Sequence, residues 1–325
     1  MIGSFLSLAS IAFSLFLTLT DAVALTNRHH HAHILIKRAN ADTEGPQQLP
    51  FPASDFTTSA AAVRNTFCGP EYNQPGQKVG DDLTVLYSYG GDQVPDRVNI
   101  YHSNSLGIVI AYMGTNGTNL ISNLANSELP NVNPDTALGL PQGAQVVQGF
   151  QQMWSMSWGQ VKEALHQAQS TYPNLPIFVT GHSQGGGTCL LGAMSIAKEF
   201  DRQSISKVIA YRVPRAGNMA WADAFDSVFN GRYTGVTNGR DWVSDVPPQA
   251  MGYQHPSGMV WINPASSDKW AFYPGQENTN LSDSRTDSHS PEMFQPNGQV
   301  FWDDHSGIYM HTTFGGGCPA QIGGY

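Results

Sequence analysis

Apolar residues along this chain fall into runs of different period, and the periods sort into strands and helices. Leu106-Gly-Ile-Val-Ile-Ala-Tyr-Met113 is apolar throughout, the pattern of a strand covered on both faces. Ile177-Phe-Val-Thr180 and Ile205–Val213 have the same buried-strand character. Between the first two lies Ala144–Ala168, long, periodic at helical spacing and stopped ahead of Pro173. A second helical stretch, Thr188–Ala197, follows Thr180 after a glycine-rich turn. Strand, helix, strand, helix across residues 106–199 predicts an α/β fold, with a mostly parallel central sheet and helices on its faces. Upstream, Leu83–Gly90 and Arg97–His102 read as two strands of a meander, and Ser59–Phe67 as a short alanine-rich helix. Arg232–Thr237 is a further predicted strand, and residues 39–57 form an extended, proline-containing lead-in. No repeat, linker or composition shift interrupts residues 39–325, so that span is expected to be one domain.

The turn after Thr180 is where chemistry enters. Gly181-His-Ser-Gln-Gly185 is a G-x-S-x-G set between a strand and a helix, the arrangement of a nucleophile elbow. A nucleophilic serine needs a sharp turn, and glycines on both sides let the backbone bend and the helix come close. The helix that begins after Ser183 points N–H groups at any oxyanion formed there, with Gln184 first in line. The break at Gly114-Thr-Asn-Gly117, after strand 106–113, is the expected source of a second donor, the backbone N–H of Thr115. Leu120, Ile121, Leu124 and Leu129 punctuate the polar stretch 116–130 at spacings that fit a helix loosely. Leu120, Ile121 and Leu124 are candidates for the apolar side of a lid, although an ordinary surface helix fits the pattern equally well.

Composition places this machinery outside the cell. Charged residues are only 13% of the chain, with 33 Gly and 20 Pro, so the chain is loop-rich and its surface largely neutral. A formal net charge of −9 argues against nucleic acid and provides no polybasic membrane anchor. Phe5–Leu19 is apolar but short for a transmembrane helix, and it ends at Ala22-Val-Ala24, an A-x-A cleavage pattern. Residues 1–24 are therefore expected to be a secretory signal peptide, and the protein secreted without a transmembrane anchor. Residues 25–38 are expected to be a pro-segment: the histidines of Asn27–His33 read as solvated, and Lys37-Arg38 as a dibasic processing site ahead of Ala39. Three cysteines in an exported chain suggest one disulfide and one leftover. Cys189 lies on the apolar face after the elbow and reads as a buried small hydrophobe, which leaves Cys68 to pair with Cys318. Asn116 and Asn280 head glycosylation sequons. No metal or organic cofactor is expected.

An activated serine needs a base, and the base needs an acid to orient it. In the α/β-hydrolase order the acid and then the histidine follow the serine. Asp241 and Asp245 sit in Arg240-Asp-Trp-Val-Ser-Asp-Val-Pro-Pro248, after a predicted strand, where such an acid should emerge. His289 reads as solvent-facing and His255 as a structural hydrogen-bonding residue, leaving His305 and His311 in the last segment. From residue types and positions alone, both pairs stay open.

From about residue 83 onward the chain resembles the fungal class 3 lipase family, the filamentous-fungal lipase and feruloyl esterase fold. The likeness rests on Ala111-Tyr-Met-Gly-Thr115, Gln148-Gly-Phe150, Val179–Gly186, Pro214-Arg-Ala-Gly-Asn218, Asp241–Pro248, Gly252-Tyr-Gln-His255 with Trp261, and Asp304-His305, in the family's order and spacing. The resemblance implies an α/β-hydrolase with Ser183 as nucleophile, Asp241 as acid and His305 as base, and it agrees with the Cys68–Cys318 pairing. It implies a carboxylic-ester hydrolase, expected to be a triacylglycerol lipase, monomeric, meeting its ester substrate at a lipid–water interface. A feruloyl or related plant-wall esterase is the alternative, favoured by the polar stretch 116–130 and by His311-Thr-Thr-Phe314. A non-catalytic secreted binding protein on the same scaffold is remote, since candidates for all three triad positions are present.

Overall fold

The structure, a computed structural model, describes residues 41–91, 97–114, 130–281, 304–314 and 316–323. The expected signal peptide and pro-segment, together with Thr115, Asn116, Leu120, Ile121 and Leu124, lie outside the described residues. Helix α1 (Ala53–Asn65) precedes strands β1 (Lys78–Val79), β2 (Leu83–Tyr89), β3 (Val98–Ser103) and β4 (Gly107–Tyr112). A small ribbon of β5 (Asn131–Val132) and β6 (Val146–Val147) leads into helix α2 (Gln148–Thr171). There follow β7 (Ile177–His182), α3 (Gln184–Ile196), β8 (Ile205–Tyr211), α4 (Met219–Phe229), β9 (Tyr233–Asn238), β10 (Met259–Ile262) and β11 (Trp270–Tyr273). A hairpin of β12 (Ile308–Tyr309) and β13 (Thr312–Thr313) closes the described chain.

One sheet runs β1-β2-β3-β4-β7-β8-β9-β10-β11. Its centre, β4 through β10, is parallel, and the strands at both flanks pair antiparallel. The predicted mostly parallel sheet is therefore its functional middle. Side chains of successive strand residues point to opposite faces, and the core divides accordingly. Ile108, Ile110, Tyr112, Ile177 and Val179 bury against α2, α3 and α4 on one face. Val109, Ala111, Phe178, Ile209 and Tyr211 bury against α1 and the C-terminal Tyr309, Met310 and Phe314 on the other. Being covered twice is why these strands read as unbroken apolar runs.

Several boundaries differ from the reading of the sequence, and two have a plain cause. The long helix begins at Gln148 rather than Ala144, because Val146 and Val147 pair with Val132 and Asn131 instead of entering the helix. Helix α1 begins at Ala53, directly after Pro52, which ends the extended lead-in. Cys68 and Cys318 form a disulfide, 250 residues apart in sequence, and Cys189 is free and buried. Beside the bridge, Arg64 donates to the carbonyls of Gly316 and Gly317. No helix among the described residues is long and apolar enough to cross a membrane.

Candidate active site

Ser183 stands between the last residue of β7 and the first of α3, with φ 57° and ψ −125°. That left-handed backbone is uncommon for a residue with a Cβ, and it is held by a hydrogen bond from Ser183 N to the Tyr211 carbonyl (2.9 Å). The flanking glycines are needed for room. A Cβ on Gly181 would lie 2.1 Å from the Gly185 carbonyl oxygen, and one on Gly185 would lie 2.2 Å from that of Met113. Strand β4, the elbow and helix α3 are thus locked together through backbone. Gly114 closes the same contact, since a Cβ there would be 2.4 Å from the His182 carbonyl oxygen and 3.1 Å from Ser183 Cβ. The loop expected to supply an oxyanion donor therefore leaves β4 directly against the nucleophile candidate, although Thr115 itself is outside the described residues. Gln184 occupies the first position of α3, where its backbone N–H precedes the hydrogen-bonded turns of the helix. Ser183 Oγ is buried and has no hydrogen-bond partner among the described residues.

The candidate acid stands in the turn after β9. Asp241 is fully buried and caps a short 3₁₀ turn, Trp242–Asp245, by accepting from Val243 N at 3.1 Å. The same oxygen, Oδ1, faces His305 Nδ1 at 3.0 Å. A carboxylate at Nδ1 favours the tautomer with the proton there, which leaves Nε2 as the basic nitrogen. Oδ2 accepts from Arg212 Nε at 2.8 Å and from the Tyr309 hydroxyl at 3.0 Å. Burial pushes the Tyr309 phenol well above its ordinary range and the neighbouring Asp241 pushes it further, so the hydroxyl stays a donor. The C-terminal segment is pinned to the acid loop by Asp304, whose carbonyl accepts from Asn238 Nδ2 (3.0 Å) and whose carboxylate accepts from Arg240 N (2.8 Å).

His182, immediately before Ser183, joins the two halves of the site. Its ring centroid is 5.8 Å from that of His305, so the His305 ring lies beside the elbow. His182 Nε2 and Arg212 Nη1 are 2.6 Å apart. Burial, then the positive charges of Arg212 and Arg64, hold His182 well below the ordinary imidazole range, so it is neutral and accepts from Arg212. Phe314 stacks on the ring at 4.2 Å between centroids, and Phe67 meets it edge-on at 5.6 Å.

Of the sequence candidates, Asp241 and His305 are in direct contact, and the His305 ring lies near His182, the residue that precedes Ser183 and Gln184. His311 does not join them: its Nε2 lies 2.7 Å from Asp268 Oδ1, and its ring packs near Trp270. Asp245 sits at the end of the 3₁₀ turn, where its carbonyl accepts from Arg215. A cavity of 340 Å³ lined by Ser244, Asp245, Val246 and Glu277 adjoins the acid loop but includes neither Ser183 nor His305. Asn280 is half-buried, and its Nδ2 donates to the Thr43 carbonyl at 2.7 Å. Arg212 and Tyr309 were missed from sequence. The available signal for Arg212 was a charged residue ending the buried strand Ile205–Val213.

Comparison with known proteins agrees with this architecture. Residues 109–251 match the family model described as lipase (class 3). The chain is 49% identical over 282 residues to the secreted mono- and diacylglycerol lipase 3 of Gibberella zeae, covering 85% of this chain and 87% of that one. It is 36% identical over 317 residues to the secreted mono- and diacylglycerol lipase MDL2 of Malassezia globosa, covering 96% and 98%. Among solved structures, a fungal lipase–inhibitor complex superposes with a TM-score of 0.63 at 20% identity, covering 81% of this chain and 97% of that one, which shows a shared fold. Because the similarity to these secreted lipases runs through most of both chains, and the segment that matches the family model holds most of β4, the elbow and the Asp241 loop, this chain belongs to the class 3 lipase family.

Proposed function

We propose that the chain is a secreted acylglycerol lipase acting through an acyl-enzyme on Ser183, with mono- and diacylglycerols as its substrates. Ser183 Oγ attacks the ester carbonyl, and His305 Nε2 takes its proton and returns it to the leaving alcohol. Asp241 holds the imidazole tautomer and stabilises the imidazolium. The backbone N–H groups of Gln184 and Thr115 stabilise the tetrahedral oxyanion, each by roughly 3 kcal/mol. The observation that carries the reading is His305 Nδ1 lying 3.0 Å from a fully buried Asp241, beside a serine held at a strained elbow. Ser183→Ala is expected to abolish hydrolysis of 4-nitrophenyl butyrate with the unfolding midpoint unchanged, and retained turnover would sink the assignment.

The substrate class is narrowed by the relatives, which are named for mono- and diacylglycerols rather than triacylglycerols. The plant-wall esterase reading rests on the polar stretch 116–130, outside the described residues but for Pro130, and on His311, which is tied to Asp268. Rates on monoolein, diolein and triolein emulsions and on methyl ferulate test the choice. Turnover of triolein or methyl ferulate above that of the partial glycerides would overturn it. We further propose that residues 1–24 are removed as a signal peptide, residues 25–38 as a pro-segment, and that residues 39–325 act as a single, monomeric domain at a lipid–water interface. N-terminal sequencing of the secreted protein and its mass in solution are the direct checks.

A further inference from the structure

Arg212 is an improbable residue where it stands. It follows the last residue of β8, has φ 55°, and is 1% exposed. A side chain in that backbone region is strained, and a buried guanidinium is expensive unless its charge is matched. The backbone is held there by Arg212 N donating to the Val236 carbonyl. The match is divided between the two halves of the site. Nε donates to Asp241 Oδ2 at 2.8 Å, Nη1 donates to His182 Nε2 at 2.6 Å, and the guanidinium lies over the Tyr309 ring at 5.3 Å. A planar fork is the one cationic group that reaches both partners at once.

We propose that Arg212 is a positioning residue for the reaction, fixing Asp241 through Oδ2 and setting the pH below which His305 ceases to act as a base; this rests on the acyl-enzyme reading above. The sign follows from charge. A carboxylate alone beside an imidazole favours the imidazolium, because the two opposite charges close a neutral pair. Arg212 already neutralises Asp241 and repels a second positive charge at His305, so the imidazole remains unprotonated to lower pH. The Tyr309 hydroxyl acts in the same direction by stabilising the carboxylate. The ionisable groups facing the pair among the described residues are Arg212 after β8, His182 at the end of β7, Tyr309 and Asp304 from the C-terminal segment, and Arg64 of α1, which acts on His182. Of these, His182 and Tyr309 are neutral in the working range, Asp304 is engaged by Arg240 N, and Arg212 is the cation in direct contact with the acid.

The test is the pH profile of kcat/KM on 4-nitrophenyl butyrate for the wild type, Arg212→Met, Arg212→Lys, Tyr309→Phe and Ser183→Ala. Arg212→Met is expected to lose about 30- to 300-fold in kcat with KM within about threefold, and to move the acid limb up by about one pH unit. Arg212→Lys keeps the charge and not the fork, so it loses about tenfold in kcat with the acid limb near that of the wild type. Tyr309→Phe keeps the ring and moves the limb the same way by less. An Arg212→Met profile with the wild-type acid limb, however large the drop in rate, reduces Arg212 to a structural role and overturns the proposal. Should that variant fail to fold, Tyr309→Phe with an unmoved limb does the same. Turnover by Ser183→Ala would instead remove the acyl-enzyme reading, so the two failures are separate.

Discussion

Asp241 accepts hydrogen bonds on both carboxylate oxygens, and only one of them serves His305. Replacing it by asparagine keeps the shape but puts an NH₂ where a donor already stands, so the imidazole loses its preferred tautomer. Asp241→Asn is expected to lower kcat on 4-nitrophenyl butyrate by roughly 10³- to 10⁴-fold with a smaller effect on KM. His311→Ala, which removes the exposed pair with Asp268 and the ring contact with Trp270, should stay within about twofold of the wild type in the same assay, since such surface pairs contribute little. A loss in His311→Ala comparable to that in Asp241→Asn would reverse the assignment of the base. At this scale the sequence was partly legible. The elbow announced Ser183, because its glycines and flanking periodicities are local. Choosing Asp241 and His305 over their neighbours took family resemblance, since only Trp242, Val243 and Ser244 separate Asp241 from Asp245 and they carry no local signal. Arg212 left only a charge near the end of a buried strand and Tyr309 no mark at all, because each acts on a partner 29 or 68 residues away across the fold.

The segment Pro214-Arg-Ala-Gly-Asn218, conspicuous as a motif, turns out to be a brace. Asn218 caps α4 by accepting from Trp221 N at 3.0 Å. Arg215 meets Glu277 through Nε–Oε1 at 2.7 Å and Nη2–Oε2 at 2.8 Å, while Nη1 donates to the Pro247 carbonyl at 3.0 Å. Glu277 also accepts from His255 N at 2.7 Å. This ties the end of the acid loop to the segment after β11. Glu277→Gln is expected to lower the unfolding free energy at pH 7 by about 3 kcal/mol, because Arg215 would remain buried with its charge unmatched. Burial works to raise the Glu277 carboxyl, but the Arg215 hydrogen bonds, the charges of His255 and Arg215 and the His255 N–H together outweigh it, and the net shift is downward. A carboxyl lowered in the folded state adds stability above its unfolded value, near 4.5, and loses it as pH falls through the folded value. Chemical denaturation at pH 7 and pH 3 should therefore show the variant and the wild type converging at the lower pH; a constant gap would contradict the ion pair. Among elements, β4, β7 and β8 were plain as unbroken apolar runs because both faces are covered. Strands β10 and β11 were missed: four residues each are too short for period to speak, and their place is fixed by pairing with β9 and with each other.

Across the whole molecule, buried histidines make stability depend on pH. His182 and His255 are both buried and both held below the ordinary imidazole range, chiefly by burial. Folded, each binds its proton less readily than in the unfolded chain, where an imidazole takes one up below about pH 6.5. The unfolded state then binds more protons, so stability rises with pH between about 5 and 6.5, by up to about 1.4 kcal/mol per pH unit for each histidine. Urea midpoints at half-unit steps across that window measure the slope, and a flat series would mean that neither ring is buried neutral. The disulfide has a different consequence. Cys68 meets Cys318, and the residues next to that seam, Phe67 and Phe314, close on the ring beside Ser183. The early and late parts of the chain thus meet behind the nucleophile. A ribosome working from the N-terminus delivers Ser183 and Asp241 long before it delivers His305 and Tyr309. Until the segment carrying His305 is threaded home, the growing polypeptide holds the proposed nucleophile without its proposed base, so on that reading activity waits for that segment to dock.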